Sequence, residues 1–545
     1  MTITDTTTPA PDRRTSRPVA VRLSDAERQE DDVTTLQPTS LAIGSGQVVG
    51  IAGGSGAGKT TLLETMAGVR TPTAGSVDRT VPSAFVPQDD IIHRELPLRR
   101  TLEHAASLRL VGDAAERIEI VDRVLARLDL TDQADVVVAD LSGGQRKRAS
   151  LAAEMLLDPR LFFLDEPTSG LDPVHSAELM ESFRDLAATG ATIVVSTHSP
   201  TDLARCDQIV FVARGGRVAF VGSPAEARSW FGVADLAEVY RLLDDPSFAD
   251  GRSTVTCPED DPAVASDSEA VDESQRVPSA ARQLRGLVAR NVDLIRGNRL
   301  TLAILLGSPV FIISTMATLF PTDGFGGGGS SAVAVQILFW MAFNSFFFGL
   351  TYGLLQIVGE FEIVRRERRA GVRLDAYVAS KLVVLVPLLA VVNAAQLGAM
   401  ELAGRLPDLA WADRTGLFVS LQLLSIAAVA IGLHASASVQ SSSQATLALP
   451  MLCFPQVLFA GAVVPISEMG RFAEAMSMPL AVRWGFEPLG RILDLDEATA
   501  GEAATAGFVT TFSGSPTTGW IVLGVLTAVA IAATVRTLSR RTAAR

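Results

Sequence analysis

The stretch Gly53-Gly54-Ser55-Gly56-Ala57-Gly58-Lys59-Thr60 decides the fold of the first half of the chain, because it fits the phosphate-loop pattern G-x-x-x-x-G-K-[ST]. Val48–Ala52 before it predicts a buried strand, and Thr61–Ala67 after it predicts the start of a helix. Such glycines let backbone N–H groups surround phosphate oxygens at a helix N-terminus. A Gly-rich turn is the alternative, but the strand and helix favour nucleotide binding.

Composition narrows the class of protein. A chain of 545 residues predicts two or three domains. The net charge of −13 argues against nucleic-acid binding, which needs a basic face. Cys206, Cys257 and Cys453 lie too far apart to suggest a disulfide framework or a metal site. Lysine occurs at only three positions, Lys59, Lys147 and Lys381, and the other basic residues among the 47 are arginine.

Further motifs follow the phosphate loop along the chain, several of them at predicted strand ends. They are Gln88 in the polar end of the predicted strand 83–90, Leu141–Gln145 before a helix, Asp165 and Glu166 at the end of the predicted strand 161–166, Ser169–Asp172, and His198 at the end of the predicted strand 192–198. In parallel α/β sheets the carboxyl ends of the strands are where ligands bind. A pair of carboxylates there suits one charge for a metal and one for a nucleophile.

These segments, in this order, resemble the ATP-binding cassette of ABC transporters over residues 40–225. Asp165 is then expected to hold Mg²⁺ and Glu166 to orient or deprotonate the attacking water. The resemblance further implies that Gln88 senses the metal and the water and that His198 contacts the γ-phosphate. A capped strand-end histidine is the alternative for His198.

The predicted site follows from the motifs and the resemblance together. The predicted catalytic residues are Glu166, His198 and Gln88, and the predicted metal ligands are Thr60, Gln88 and Asp165. The predicted nucleotide-binding residues are Gly53, Gly54, Ser55, Gly56, Ala57, Gly58, Lys59, Thr60, Thr61, Ser142, Gly143, Gly144, Gln145 and Asp172. The expected cofactors are ATP and Mg²⁺. By resemblance, Ser142 and Gly144 contact the ATP that the opposite cassette of a dimer holds.

One departure from the family concerns the adenine base. The family usually stacks adenine on an aromatic side chain ahead of the phosphate loop, but this chain has no Phe, Tyr or Trp before Phe85. Stacking is worth on the order of 1 kcal/mol. We therefore expect loose base selectivity.

The predicted fold class is an α/β P-loop NTPase (ABC cassette) followed by an all-α six-helix transmembrane domain. The predicted boundaries are a disordered tail over 1–18, the cassette over 19–243, an acidic flexible linker over 244–280, an amphipathic connecting helix over 281–297, and the membrane domain over 298–545.

Six apolar stretches are each long enough to cross a bilayer. They lie near 300–320, 332–358, 379–400, 416–438, 445–464 and 519–537. With six crossings, the Arg-rich approach to the first span, Arg365–Arg373 and the C-terminal tail share one side, which the positive-inside rule makes cytoplasmic. A plasma-membrane protein with its cassette in the cytoplasm is expected.

The order of cassette then membrane domain resembles the ABCG (white–brown complex) half-transporters. Glu360–Glu367 resembles the coupling segment of that family, and Phe459–Pro488 resembles its re-entrant region. The resemblance implies a homodimer, or a pair with a related half-transporter. Phe343, Asn344, Phe347 and Phe348 resemble the position that lines the central cavity of the family, with lipid-facing Phe as an equal alternative.

Three functions stay open on the sequence. The first is ATP-driven export of a hydrophobic or amphipathic (lipid-like or drug-like) compound. The second is export of an envelope lipid, a glycolipid or a polymer precursor. The third is an ABC ATPase that acts on ribosomes or DNA, against which the apolar spans and the acidic balance argue.

Overall fold

A computed structural model of the protein describes residues 18–30, 33–244, 278–322, 325, 330–500 and 505–543. The chain divides into two compact units, residues 1–106 with 112–276 and residues 107–111 with 277–545. Nearly all of the predicted tail and linker lies outside the described residues, so those boundaries stay predictions.

Two sheets form the first unit. Their strands are β1 (Val19–Glu30), β2 (Val33–Gly44), β3 (Val48–Gly53), β4 (Ala74–Arg79), β5 (Ser83–Val86), β6 (Leu161–Asp165), β7 (Thr192–Ser196), β8 (Gln208–Ala213) and β9 (Arg217–Gly222). An antiparallel sheet has the order β2-β1-β4, and a six-stranded sheet has the order β5-β6-β7-β3-β8-β9. The larger sheet is parallel except for the last pair, β8 and β9.

The centre of the larger sheet is the core of the first unit. Every residue of β3, β6 and β7 is buried. These strands are nearly continuous apolar runs, as expected of parallel strands covered on both faces.

The helices of the N-terminal half connect these strands. They are α1 (Lys59–Ala67), α2 (Leu98–Arg109), α3 (Ala114–Arg127), α4 (Gly143–Met155), α5 (Pro173–Ala188), α6 (Pro200–Leu203), α7 (Pro224–Phe231) and α8 (Leu236–Asp244). Helix α1 starts after Gly58, whose φ of 100° is a backbone conformation that glycine adopts far more easily than other residues. The helix ends at Gly68, which has a left-handed backbone conformation. The phosphate loop is therefore a strand–loop–helix turn.

The second unit is helical. Its helices are α9 (Ala280–Gly297), α10 (Arg299–Leu319), α11 (Ser331–Leu354), α12 (Phe361–Arg369), α13 (Leu374–Leu402), α14 (Trp411–Ser438), α15 (Ser442–Phe459), α16 (Arg471–Ser477), α17 (Ala481–Ile492), α18 (Leu495–Ala500), α19 (Val509–Phe512) and α20 (Thr517–Ala543). The apolar faces of α11, α14 and α17 meet in one buried cluster.

The count of six spans is not confirmed. Among the described residues, five helical segments are long and apolar enough to cross a membrane, by length and composition: Thr301–Leu319, Ser331–Arg369, Leu374–Leu402, Trp411–Ser438 and Thr517–Thr542. The predicted span 445–464 forms the 18-residue helix α15 instead. Pro450, Pro455 and the amides of Gln444 and Gln456 reduce its apolar character.

Helices α14 and α20 run parallel to each other. Near their N-termini, Trp520 Nε1 donates to Ser420 Oγ at 2.9 Å. Near their C-termini, Arg541 Nη1 donates to the Val439 carbonyl at 2.7 Å, and its guanidinium lies 4.3 Å from the centre of the Phe361 ring. The segment between these helices therefore returns along the length of the bundle, and Arg541 lies at the same end as α12.

Candidate functional site

Three neighbouring strand ends build the site. β3 ends at Gly53, β6 at Asp165 and β7 at Ser196. In the parallel register, Asp165 lies opposite Ser196, and Ser196 lies opposite Ile51. The sheet therefore brings the phosphate loop and the carboxylate pair to one edge.

Lys59 lies across the phosphate loop. Its Nζ donates to the Gly53 carbonyl at 3.1 Å and the Gly54 carbonyl at 3.0 Å. Helix α1 has no side-chain cap at its N-terminus, so the N–H groups of its first turn are available to an anion. This combination of ammonium and N–H groups fits phosphate oxygens.

Thr60 and Asp165 form the candidate metal position. Thr60 Oγ1 lies 3.1 Å from Asp165 Oδ2, and Ser196 Oγ donates to Asp165 Oδ1 at 2.5 Å. Mg²⁺ favours oxygen ligands and is usually held by one or two carboxylates, phosphates and water. One hydroxyl and one carboxylate side by side fit this ion, and the described residues contain no cluster of three or more His, Cys, Asp or Glu side chains that fits a metal.

Glu166 follows β6 in a left-handed conformation, with φ of 44°. Such a backbone costs about 1 kcal/mol or more in a non-glycine residue. The N–H of Glu166 donates to Ser196 Oγ at 2.9 Å, which holds this turn. Gln88 Nε2 donates to Glu166 Oε2 at 3.1 Å, and His198 Nδ1 lies 3.7 Å from Glu166 Oε1. Two of the predicted catalytic side chains, Gln88 and His198, therefore converge on the carboxylate of the third, Glu166.

The predicted nucleotide-binding residues Ser142 and Asp172 are the N-caps of the helices α4 and α5. Ser142 and Gln145 cap α4 reciprocally, since each side chain accepts from the backbone N–H of the other. The Asp172 carboxylate accepts from the backbone N–H groups of Val174 and His175 at the start of α5. Asp172 also hydrogen-bonds the His175 ring, which lowers the pKa of the Asp172 carboxyl and raises the pKa of His175.

Sequence reasoning missed two residues at this site. Ser196 joins Asp165 to the Glu166 backbone, yet a serine at a strand end has no distinctive spacing. Lys147 Nζ donates to the Gln88 carbonyl and lies 3.3 Å from Asp90 Oδ1, so it connects α4 to the segment that carries Gln88. The scarcity of lysine in the sequence was a usable signal for Lys147.

Comparison with known proteins identifies the family. Residues 36–169 match the family model described as ABC transporter, and residues 282–492 match the model described as ABC-2 type transporter. A daunorubicin resistance ATP-binding protein of Streptomyces coeruleorubidus is 32% identical over 222 residues, which cover 38% of this chain and 70% of that protein. The chain belongs to the ABC transporter family. The predicted order of cassette then membrane domain is confirmed.

Two further relatives of this ABC transporter match it over different shares of its length. An ABC transporter ATP-binding/permease protein of Mycobacterium tuberculosis is 33% identical over 504 residues, covering 87% of this chain and 57% of the relative. ABC transporter G family member 7 of Arabidopsis thaliana is 37% identical over 209 residues, covering 34% of this chain and 29% of that protein. The chain thus spans less than two thirds of either relative.

The predicted substrate residues of this ABC transporter separate into two pairs. Phe343 and Phe347 are half-buried, with ring centres 6.3 Å apart. Asn344 and Phe348 are buried within the subunit, and the Asn344 amide donates to the sulfur of Met316. Asn344 and Phe348 therefore point into the packed interior of the second unit.

The second unit also holds a cluster of charged and polar side chains, the connector cluster, defined as Arg290, Asn291, Glu360, Glu367 and Lys381. Arg290 of α9 pairs with Glu367 of α12, and both are almost fully buried. Lys381 Nζ of α13 lies 2.8 Å from Glu360 Oε2 and donates to Asn291 Oδ1 at 3.0 Å. These contacts connect α9 to α12 and α13, and connect α13 to Glu360.

Proposed function

We propose that this protein is an ATP-driven exporter that works as a homodimer, or paired with a related half-transporter, in the cell membrane, with its cassette in the cytoplasm. The observation that carries the proposal is the convergence of Gln88 and His198 on Glu166, beside Lys59 and the Thr60–Asp165 pair. This geometry supports hydrolysis of a bound nucleotide at one sheet edge.

Each side chain has a defined task in this proposal. The N–H groups of α1 and Lys59 bind phosphate oxygens, and Thr60 and Asp165 hold Mg²⁺, which supplies charge neutralisation when it is bound. Glu166 accepts a proton from the attacking water, Gln88 orients that carboxylate, and His198 contacts the γ-phosphate. Positioning and electrostatics account for most of the catalysis in such sites.

Two glycines support the dimer. Gly143 and Gly144 lie in the first turn of α4, where glycine weakens a helix by roughly 0.5–1 kcal/mol relative to alanine. A Cβ at Gly144 would come no closer than 3.6 Å to its neighbour His175, and one at Gly143 would lie 3.4 Å from Leu171. The subunit therefore has room for side chains there, and close approach of an outside ligand, such as the ATP of a partner cassette, explains the glycines.

The substrate proposal is a hydrophobic or amphipathic compound taken from the membrane. Phe339, Phe343 and Phe347 recur every four residues on α11, with ring centres 6.1 and 6.3 Å apart. Such a row of rings offers an apolar contact surface. Phe343 and Phe347, which are half-buried, are the residues we assign to the substrate surface.

The test is hydrolysis and transport by the Glu166→Gln variant in liposomes. We expect MgATP hydrolysis to fall at least about 100-fold, because the general base is lost, while ATP binding persists. Glu178→Gln, which alters an exposed carboxylate on α5, is the matched control and should behave like the wild type. Hydrolysis that survives Glu166→Gln would contradict the proposed site.

A further inference from the structure

The carboxylate of Asp202 is fully buried in the cassette, although no sequence motif includes this residue. Asp202 lies on α6 and is 0% exposed. Its side chain accepts three hydrogen bonds: from Thr168 Oγ1 at 2.7 Å, from Ser176 Oγ at 3.0 Å and from Thr197 Oγ1 at 3.1 Å. Each of these donors is a neutral hydroxyl.

The three hydroxyls belong to three segments of the candidate ATP site. Thr168 follows Glu166 by two residues and leads into Ser169–Asp172. Thr197 directly precedes His198. Ser176 lies in the first turn of α5, the helix that Asp172 caps. One carboxylate therefore joins the segments that carry Glu166, Asp172 and His198.

Burying the Asp202 carboxylate between these three segments is energetically unfavourable compared with burying an apolar side chain. Burying a charge is unfavourable unless it is hydrogen-bonded. An ionised carboxylate only accepts hydrogen bonds, so it fixes the direction of all three hydroxyl groups. Bonds to a charged acceptor are also shorter and stronger than bonds between neutral groups. The arrangement therefore sets geometry in a way that an apolar side chain would not.

We propose that Asp202 is a positioning residue for ATP hydrolysis, which holds Glu166 and His198 in register with each other through Thr168 and Thr197. The inference rests on the proposed ATP hydrolysis. Asp202 acts through these two hydroxyls, and Thr60 and Ser196 hold the metal-binding carboxylate separately.

The test removes single hydroxyls while keeping side-chain shape. Thr168→Val and Thr197→Val each delete one bond to the same oxygen, Asp202 Oδ2, and Thr168→Ser and Thr197→Ser retain the hydroxyl. In the full chain in liposomes, we expect each valine variant to lower kcat for MgATP about tenfold, with KM changed by less than about twofold. The serine variants should hydrolyse ATP like the wild type.

A double variant makes the test sharper. Because both hydroxyls act through one carboxylate, the loss in the Thr168→Val/Thr197→Val double variant should be smaller than the product of the two single losses. Thermal unfolding of every variant separates loss of structure from loss of positioning.

Two outcomes would overturn the inference. One is valine variants with a lowered Tm but the kcat of the wild type, and the other is serine variants as defective as the valine variants. A wild-type chain without MgATP hydrolysis would instead contradict the proposed function.

Discussion

The ATP site and the connector cluster both bring together charged side chains from distant segments, but those side chains differ in how far they are exposed to solvent. In the ATP site, the side chain of Glu166 is 22% exposed and that of His198 is 64% exposed. In the connector cluster, the side chains of Arg290, Glu367 and Lys381 are between 2% and 4% exposed, and that of Glu360 is 18% exposed. The first site is open to a ligand, whereas the second is closed on itself.

This difference in exposure separates two kinds of role. A partly exposed carboxylate beside an amide and an imidazole is accessible to water and phosphate, so it can act on a bound ligand. Buried ion pairs stabilise little compared with apolar packing, but losing one partner is costly because the other charge stays buried. The connector cluster therefore fixes the arrangement of α9, α12 and α13.

The largest expected effect comes from breaking the connector cluster. Arg290→Met would remove one partner of the buried Arg290–Glu367 ion pair, at a cost of about 3–5 kcal/mol in folding free energy. The measurement is thermal unfolding of the purified chain. As a control, Arg373→Met at the 58% exposed Arg373–Asp375 pair should cost less than about 1 kcal/mol.

The double variant Arg290→Met/Glu367→Leu tests the cause of that loss. If the loss of stability comes from the broken ion pair, removing both charges should restore part of it. A double variant no more stable than Arg290→Met alone would show that the contacts of the arginine stem, and not its charge, matter.

A smaller effect is expected in the ATP site. Ser196→Ala removes the hydroxyl that bridges Asp165 and the backbone of Glu166, so kcat should fall about tenfold while the free energy of unfolding changes by only about 1 kcal/mol. Steady-state MgATP hydrolysis measures the effect. Ser182→Ala, at an exposed hydroxyl of α5, is the control, and an unchanged kcat in Ser196→Ala would show that the bridge is dispensable.

The phosphate end of the ATP site should dominate nucleotide recognition. The chain has no aromatic residue before Phe85, so a stacking contribution of about 0.5–1.5 kcal/mol from that region is missing. We expect GTP to compete with ATP with an inhibition constant within about tenfold of the KM for ATP. Discrimination against GTP of more than about a hundredfold would contradict this expectation.

The smallest effect concerns the exposed Asp172–His175 pair. Asp172 raises the pKa of His175, and in Asp172→Asn we expect that pKa to fall toward the ordinary value of about 6.5. Stability from the pair is fully present between the ordinary pKa values of about 3.8 for Asp172 and about 6.5 for His175. It is lost as the pH rises through the raised pKa of His175, and it is lost as the pH falls through the lowered pKa of Asp172. NMR titration of the His175 ring measures the shift, and an unchanged pKa would contradict the assignment.

The sequence predicted the cassette well because its motifs are short and local. Gly53–Thr60 needs a strand, a turn and a helix in immediate succession, and the structure has β3, the loop and α1 in that order. Asp165 and Glu166 follow an apolar run, which places them at a strand end. Local spacing therefore carried most of the candidate ATP site.

The rest depended on contacts between distant residues. Arg290 pairs with Glu367 across 77 positions and Thr168 with Asp202 across 34, and neither pairing leaves a periodic pattern in the sequence. The predicted end of the span 445–464 was wrong for a different reason. Apolar composition alone extended the predicted span to residue 464, whereas the helix ends at Phe459 before a turn at the left-handed Gly461.

The three lysines make the protein chemically addressable. Lys59, Lys147 and Lys381 each lie in a polar contact and are largely buried. An amine-reactive reagent therefore meets no lysine side chains beyond these three, and mass spectrometry can follow each separately. Labelling of Lys59 should report nucleotide occupancy, because bound phosphates would shield its ammonium, while labelling of Lys381 would report opening of the connector cluster.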